Sequence, residues 1–386
     1  RDIGTNDKLA KYHYTYIMWN DTYCDYEFSV SPGDITLSVI MRGSMVFFNI
    51  IGLIGTLLLV YGLVKQALHR DYATYFECGA VFYNSLALIG ITDSIVILTS
   101  ILMYDLEFYS DLLRSPNMYL IWLSLLKIVY PVAHIALSYS AVMLFSVAVC
   151  VSYFVARSNK SRNCKDEGLS RKKLLFAGLA VVILVLMILL KIPTFLTLEI
   201  AEKKGCEHET AFQRYLLIPT RFLTTYSYKI YDVIVSTVIF AFLLPVATGA
   251  VGLLLCVFLK RGATARDKVQ PETSTAKNMF DYGAVKFEND GKQSDDTKHL
   301  IYVEQPIFED QLVKAFSIVV IVTAFLQLPE MFRSIAELVD PWFFYHKVYF
   351  NAFVHDTLQF LAALLHGFKW VIYFIKAPEL CRWLRK

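Results

Sequence analysis

The chain has 386 residues, of which 56% are hydrophobic and 18% are charged, with a formal net charge of +3. Ordinary globular domains are about 45–50% apolar and about 25% charged, so this composition indicates a membrane protein, and the small net charge does not indicate a nucleic-acid partner. The seven cysteines stand singly without a Cys-x-x-Cys pair, which excludes the usual patterns of a zinc site or a dense disulfide framework.

Seven stretches are long and apolar enough to cross the ~30 Å hydrocarbon core of a bilayer as helices. In chain order they run Met41–Lys65, Ala80–Met103, Met118–Val155, Leu174–Leu198, Tyr231–Leu259, Leu312–Val339 and Phe350–Ile375. Buried helices of soluble proteins rarely reach this length, and seven of them in one chain would be exceptional. The pattern therefore predicts an all-α fold, a seven-transmembrane helix bundle.

Polar stretches separate these segments and divide the chain. Residues 1–40 precede the first segment, the first five helices are predicted within 41–260, and the last two within 310–376. Residues 261–309 mix Gly, Ser, Thr, Lys and Asp with few apolar residues, which is typical of a disordered loop.

The basic residues in the loops predict the orientation, because cytoplasmic loops carry an excess of lysine and arginine. The loop after segment two has Arg114 alone, whereas the loop after segment three is strongly basic between Arg157 and Lys173. The alternation places the N-terminus outside the cell, and the loop 261–309 and the C-terminus in the cytoplasm. A glycosylation sequon that begins at Asn20 agrees with this orientation, so we expect Asn20 to carry a glycan.

Several stretches stand in an order and spacing known from one receptor family. Segment one contains Gly-Leu-Ile-Gly-Thr-Leu from Gly52, segment two contains Asp93 after Leu-Ile-Gly-Ile-Thr, and segments five and six contain Pro245 and Pro329. These stretches resemble the GLxGN-L and NxxLAxxD patterns and the kink prolines of rhodopsin-like (class A) G-protein-coupled receptors. The resemblance implies that Asp93 stands at the family's sodium-site aspartate and that both prolines kink their helices.

Two further features look like those of invertebrate FMRFamide-type neuropeptide receptors within this family. They are the run Lys127–Ala133 and the spacing of Cys206, Tyr215 and Arg221. After segment seven, residues 377–386 look like the family's helix eight, so the resemblance implies a short cytoplasmic amphipathic helix and a tail there.

The family's three switch motifs are degenerate in this chain. Segment three has Ser-Tyr-Phe at 152–154 in place of the DRY motif, and an alignment shifted by two residues supplies no arginine either. Segment six has Leu-Gln-Leu-Pro at 326–329 in place of CWxP, and segment seven has Lys-Trp-Val-Ile-Tyr at 369–373 in place of NPxxY. In the family the missing arginine reaches the G protein, so these departures leave conventional coupling open.

Lys369 lies inside segment seven, where a lysine costs about 2.5–3.5 kcal/mol on insertion scales. One interpretation is that its side chain snorkels to the headgroups. The other follows from the resemblance, in which this position neighbours Asp93, so that a lysine would occupy the place of the sodium ion. We expect an intramembrane Asp93–Lys369 pair, because either charge alone would cost several kcal/mol.

The resemblance also implies a ligand pocket between the outer halves of segments three, five, six and seven. The candidate residues combine aromatic and charged side chains: Lys127, Tyr130, Tyr228, Tyr231, Gln327, Glu330, Arg333 and Asp356. This mixture suits an amidated, basic peptide.

The resemblance bears on the disulfides as well. In the family, a cysteine at the extracellular end of the third helix forms a disulfide with one in the loop between helices four and five, but here Leu126 stands at the first of these positions. Cys206 is therefore left without its usual partner, and Cys24 is the other cysteine placed clearly outside the cell. Because that compartment is oxidising, our hypothesis is a Cys24–Cys206 disulfide.

The function predicted from these features is that of a plasma-membrane receptor with a neuropeptide-like ligand outside and a G protein or other effector inside. The alternative is a receptor-derived structural or adaptor subunit that no longer couples to G proteins and works with another membrane or scaffold protein. HExxH, GxSxG and metal-ligand spacings are absent from the sequence, so we expect no enzyme activity, metal or cofactor. We expect the protein to contact membrane lipid and to have no nucleic-acid partner.

Overall fold

Seven helices in the described part of the chain are long and apolar enough to cross a membrane. The computed structural model describes residues 32–69, 79–113, 115–158, 169–202, 215–269, 295–339, 348–377 and 380. Within these ranges, the helices long and apolar enough to cross a membrane, here called spans one to seven, are Ile40–Ala67, Val81–Ser110, Pro116–Ala156, Phe176–Leu196, Tyr226–Arg261, Gln311–Ala336 and Thr357–Lys376. The predicted all-α, seven-helix bundle is thereby confirmed, and the protein is a multi-pass membrane protein.

The spans pack as a closed ring with one helix outside it. Span one contacts spans two and seven, span two contacts span three, and spans three, five, six and seven follow one another in contact. Span four lies outside the ring against span three. The largest fully buried side chains are Tyr83, Phe316, Leu63, Ile97, Leu123, Met143, Leu144, Leu255 and Leu312. Because lipid tails are as apolar as these side chains, close packing stabilises the contacts between spans.

Four spans depart from regular α-helix. Span two continues its first helix, Gly79–Ser100, through a π-helical stretch, Ile101–Asp105, into Leu106–Leu112. Span five begins with the short α-helix Tyr226–Tyr231, continues as the π-helix Asp232–Leu243 and ends in the α-helix Leu244–Val269. Span six is interrupted at Gln327, between the helices Asp295–Leu326 and Leu328–Val339. Span four continues its α-helix, Leu169–Lys191, through the 3₁₀-helix Ile192–Leu196. The other spans lie in the helices Pro32–His69, Pro116–Ser158 and Val348–Lys376.

The two predicted kink prolines stand at these interruptions. Pro245 is the second residue of the α-helix that follows the π-helix of span five, and Pro329 is the second residue of the helix that follows the break in span six. A proline has no N–H to donate and its ring collides with the preceding turn, so it is tolerated where a helix begins anew.

A β-hairpin follows span four, a feature that the sequence analysis did not predict. Strand β1 (Leu198–Glu202) pairs antiparallel with strand β2 (Tyr215–Pro219). The hairpin is fixed to the end of span four, where Thr220 N donates to Thr197 O at 2.9 Å and the Thr220 hydroxyl donates to Leu196 O. We call this end of the bundle the hairpin end and the other the opposite end.

Six of the seven spans lie in helices that extend beyond their predicted apolar segments, so the helix bounds differ from the predicted ones. Segment four, predicted to end at Leu198, is helical only to Leu196, because Leu198 begins strand β1. The first helix begins at Pro32, within the predicted N-terminal segment 1–40. The predicted loop 261–309 is shortened from both sides, since one helix continues to Val269 and the next begins at Asp295. Hydropathy marks only the part of a helix that lies in hydrocarbon, whereas a helix satisfies its own backbone hydrogen bonds in water as well. The predicted helix eight (377–386) lies outside the described residues, apart from Ala377 and Leu380.

Candidate functional site

A buried polar cluster joins spans two, three and seven. The Asp93 carboxylate, 2% exposed, lies with Oδ2 2.9 Å and Oδ1 3.0 Å from Lys369 Nζ. Ser140 Oγ donates to Asp93 Oδ1 at 2.8 Å, and His366 Nδ1 lies 2.8 Å from the same oxygen. We call these four residues the Asp93 cluster. It brings together the two charges expected to pair and adds a hydroxyl and an imidazole.

The electrostatics of this cluster depend on its burial. Lys369 is 6% exposed, so its ammonium does not reach the headgroups by snorkelling but lies against the Asp93 carboxylate. Without water to screen them, the two charges attract strongly, and each would be expensive to leave alone. A sodium ion at this carboxylate would have to displace the ammonium or stand beside it as a like charge. The lysine therefore occupies the place where a cation would bind Asp93.

Two glycines, Gly52 and Gly367, let span seven pack closely against span one in the part of span seven that carries Lys369. A Cβ atom on Gly52 would lie 2.5 Å from Gly367 Cα, and one on Gly367 would lie 3.1 Å from Phe48 O. Three residues along span one, a Cβ on Gly55 would collide with the ring of Trp370. Small residues at such crossings are how membrane helices bring their backbones together.

A second polar cluster forms at the hairpin end from five spans. Tyr104 of span two interacts electrostatically with Tyr130 of span three and with Glu330 and Arg333 of span six. Asp232 of span five interacts electrostatically with both Tyr130 and Tyr231. We define the hairpin-end cluster by eight residues: Tyr104, Tyr130, His134, Lys191, Tyr231, Asp232, Glu330 and Arg333.

Span four contributes a buried cation to this cluster. Lys191, at the end of span four and 3% exposed, places Nζ 4.6 Å from the centroid of the Phe240 ring, within the range of a cation–π interaction. It also interacts electrostatically with Asp232 and with His134. Tyr231 holds the two spans together, since its hydroxyl donates to Leu190 O at 2.7 Å.

The structure brings some of the predicted ligand residues together but not all of them. Tyr130, Tyr231, Glu330 and Arg333 belong to the hairpin-end cluster, in which Arg333 Nη1 lies 4.0 Å from Glu330 Oε2. Lys127 is exposed on span three. Of the other candidates, Tyr228 packs edge-to-face against Phe222 and at a tilt against Tyr231. Gln327 lies half-buried at the break in span six, and the Asp356 side chain is outside the described residues.

The opposite end of span three has no charged group where the family has its arginine. Ser152 is buried and donates to Ala148 O at 2.7 Å, one turn back in its own helix. Tyr153 is exposed, and its ring packs edge-to-face on Phe154 at 5.7 Å between centroids. The Ser152 hydroxyl is thus hydrogen-bonded within its own helix, and the Tyr153 ring is exposed on the helix surface.

Six residues of the two clusters escaped the sequence analysis or were not linked to the site: Ser140, His366, Tyr104, His134, Lys191 and Asp232. His366 precedes Lys369 by three residues, and this spacing places both on one helix face, so the signal was present. No signal in the sequence points to Ser140, because only the packing of spans two and three shows which hydroxyl contacts Asp93. Lys191 and Asp232 are charges inside apolar segments, which is itself a sign of function.

The predicted glycosylation site and disulfide, Asn20 and Cys24–Cys206, lie outside the described residues and remain predictions. No family model matches the chain, and no curated protein matches it. The resemblance to rhodopsin-like receptors therefore rests on the motifs of the sequence.

Proposed function

We propose that the protein is a plasma-membrane receptor of the G-protein-coupled type that binds a neuropeptide-like ligand at the hairpin end, with its N-terminus outside the cell. The observation that carries the proposal is the convergence of aromatic and charged side chains from five spans in the hairpin-end cluster. Ligand sites combine aromatic surface with a few placed polar groups. Here Tyr104 and Tyr130 offer rings, and Asp232 and Glu330 offer carboxylates for a basic group.

The interruptions of spans five and six support a mechanism by helix rearrangement. In each span the regular helical hydrogen-bond pattern is interrupted beside a proline, Pro245 or Pro329. Each span also contributes to the hairpin-end cluster, through Asp232 or Glu330. A ligand that binds one arrangement of these spans better than another shifts the population toward it. The opposite ends of spans five and six would then move relative to span three.

Binding of the tetrapeptide Phe-Met-Arg-Phe-amide to the purified protein in nanodiscs tests this function. We expect saturable binding that weakens about three- to fivefold in Asp232→Asn and in Glu330→Gln, because an exposed charge pair contributes up to about 1 kcal/mol. Glu199→Gln is the matched control, since Glu199 is an exposed carboxylate on β1 outside the cluster. Absence of saturable binding, or an equal loss in the control, would contradict the proposal.

A second candidate function is a receptor-derived structural or adaptor subunit without G-protein coupling. The Asp93 cluster favours it, because separating Asp93 from Lys369 inside the bundle would strand two charges. The absence of an arginine at 152–154 favours it as well. We expect little stimulation of nucleotide exchange on purified heterotrimeric G proteins at saturating peptide. Robust peptide-driven exchange would exclude the adaptor function, and purification from native membrane would show which protein accompanies the chain.

A further inference from the structure

The ammonium of Lys191 is a buried positive charge whose hydrogen bonds the protein does not supply. The residue is 3% exposed, and within the described ranges of the chain its Nζ forms neither a hydrogen bond nor an ion pair. Lys369, which is buried as well, differs in this respect, because both oxygens of Asp93 lie within 3.0 Å of its Nζ. A buried ammonium has three N–H donors and is costly without an acceptor, so Lys191 points to an acceptor from outside the chain.

The Lys191 side chain is held between spans four and five. Lys191 is the last residue of its α-helix, and the Thr194 hydroxyl donates to its carbonyl oxygen at 2.6 Å. The carbonyl end of a helix favours a positive charge. The Phe240 ring lies 4.6 Å from Nζ and covers one side of the ammonium. A ring face attracts a cation but does not replace its hydrogen-bond acceptors, so the charge is fixed in place without being neutralised.

Asp232 of span five acts electrostatically on Lys191 but does not form an ion pair with it in the described structure. Unlike Lys191, Asp232 is exposed. The hairpin-end cluster therefore holds a positive and a negative charge that act on each other without direct contact. A ligand with one acidic and one basic group can bind both, and it leaves the net charge of the site unchanged.

We propose that the ligand of the hairpin-end cluster carries a free carboxylate, which binds Lys191 Nζ, and a basic group, which binds Asp232. This carboxylate site rests on the proposed receptor function and specifies the ligand further. In a peptide, the group is a C-terminus without an amide. An amidated peptide offers Lys191 a neutral carbonyl oxygen, whereas a free acid offers a charged acceptor, and hydrogen bonds between charged groups are stronger.

The position of Lys191 favours a carboxylate over a phosphoryl group. Phosphoryl groups carry up to two negative charges, and helix N-termini and arginine side chains bind them well. Lys191 lies instead at a helix C-terminus, where a second negative charge is unfavourable. Its burial also separates the ammonium from the headgroups of the surrounding lipid.

The test is the thermal unfolding of the purified full chain in an uncharged detergent, with N-acetyl-L-phenylalanine or its carboxamide added at equal ionic strength. The two probes share the ring and the peptide bond, and only the acid is charged. A compound that binds the folded state raises Tm as its concentration increases. We expect the acid to give the same Tm shift at about tenfold lower concentration than the carboxamide, because its bond to the ammonium is between charged groups.

Lysine variants locate the carboxylate. Lys191→Met keeps most of the side-chain volume and should remove the preference for the acid, whereas Lys191→Arg keeps the charge and should retain it. Lys65→Met is the matched control, since Lys65 Nζ lies 5.8 Å from the centroid of the Tyr61 ring at the opposite end of the bundle. This variant removes the same charge and a similar ring contact, and it should keep the wild-type preference.

Several results would overturn the carboxylate site. In the wild type, which needs no substitution to be tested, they are equal effects of acid and carboxamide, or no Tm shift with either. An undiminished preference in Lys191→Met would place the carboxylate elsewhere, and its loss in Lys65→Met would indicate a general effect of charge. A larger shift with phenyl phosphate than with the acid would indicate a phosphoryl group, such as a lipid headgroup.

The carboxylate site and the receptor function can fail separately. Saturable binding of Phe-Met-Arg-Phe-amide without any preference for acids would support the receptor and overturn the carboxylate site. A preference for the acid that is lost in Lys191→Met, without binding of the amidated peptide, would support the carboxylate site and contradict the receptor proposal for that peptide.

Discussion

Replacing Asp93 with asparagine would remove the only carboxylate that faces Lys369 in the described part of the chain. The carboxylate has two contacts to Lys369 Nζ, at 2.9 and 3.0 Å, and it is 2% exposed, so no water replaces it. Breaking a buried pair from one side costs about 3–5 kcal/mol, because the other charge remains buried. We therefore expect Asp93→Asn to lower Tm and surface expression strongly.

Replacing Lys369 with asparagine should cost less stability than replacing Asp93. In Lys369→Asn, the Asp93 carboxylate retains Ser140 Oγ and His366 Nδ1, each at 2.8 Å, and the imidazole can take a proton and supply the missing positive charge. The double variant Asp93→Asn with Lys369→Asn removes both charges, so that neither is left buried without the other. It should recover most of the loss, leaving about 1–2 kcal/mol for hydrogen bonds that the amides do not restore.

Thermal unfolding of the four proteins in one detergent, with surface expression in cells, forms a double-mutant cycle. The expected coupling energy is about 2 kcal/mol or more, in the direction that makes the double variant more stable than the sum of the single effects. Additive effects would mean that the two charges do not meet. A larger loss in Lys369→Asn than in Asp93→Asn would refute the role assigned to His366.

Three other predictions concern topology, the N-terminal segment and the helix crossing. Glycosidase treatment should lower the apparent mass of the expressed protein, and Asn20→Gln should abolish that change; a wild type of unaltered mass would speak against an external N-terminus. Mass mapping without reduction should find Cys24 linked to Cys206, and alkylation of both thiols would exclude the bond. Gly52→Ala should lower the free energy of unfolding by about 1–3 kcal/mol, and with it Tm, because its Cβ would meet backbone. Gly178→Ala has nothing within 4 Å of its Cβ and should be neutral or slightly stabilising. Equal Tm values for these two alanine variants would contradict the close crossing.

The seven spans and the Asp93–Lys369 pair are the parts of the fold and the site that could be predicted from the sequence. Each of the seven spans overlaps a predicted segment, because a run of apolar residues is itself the requirement for crossing hydrocarbon. The pairing of Asp93 with Lys369 was expected from charges in two apolar segments together with a family register. Neither inference needs knowledge of side-chain packing.

The features that were missed depend on backbone irregularity and on contacts between spans. Segment two was predicted to end at Met103, so Asp105 fell outside it, although the π-helical stretch carries the span on to Ser110. Hydropathy does not report a change from α to π geometry. The β-hairpin was missed for a related reason, since its strands are short and lie beside a segment that already reads as a membrane helix.

The most direct test of the receptor proposal is hydrogen–deuterium exchange of the wild-type protein in nanodiscs, with and without saturating Phe-Met-Arg-Phe-amide. The account predicts protection of the hairpin-end cluster together with a ligand-dependent change at the opposite ends of spans five and six, near Lys260 and Lys314. That second change would show that binding at one end rearranges the helices beyond Pro245 and Pro329. Protection confined to the hairpin end, or no change at any site, would contradict it.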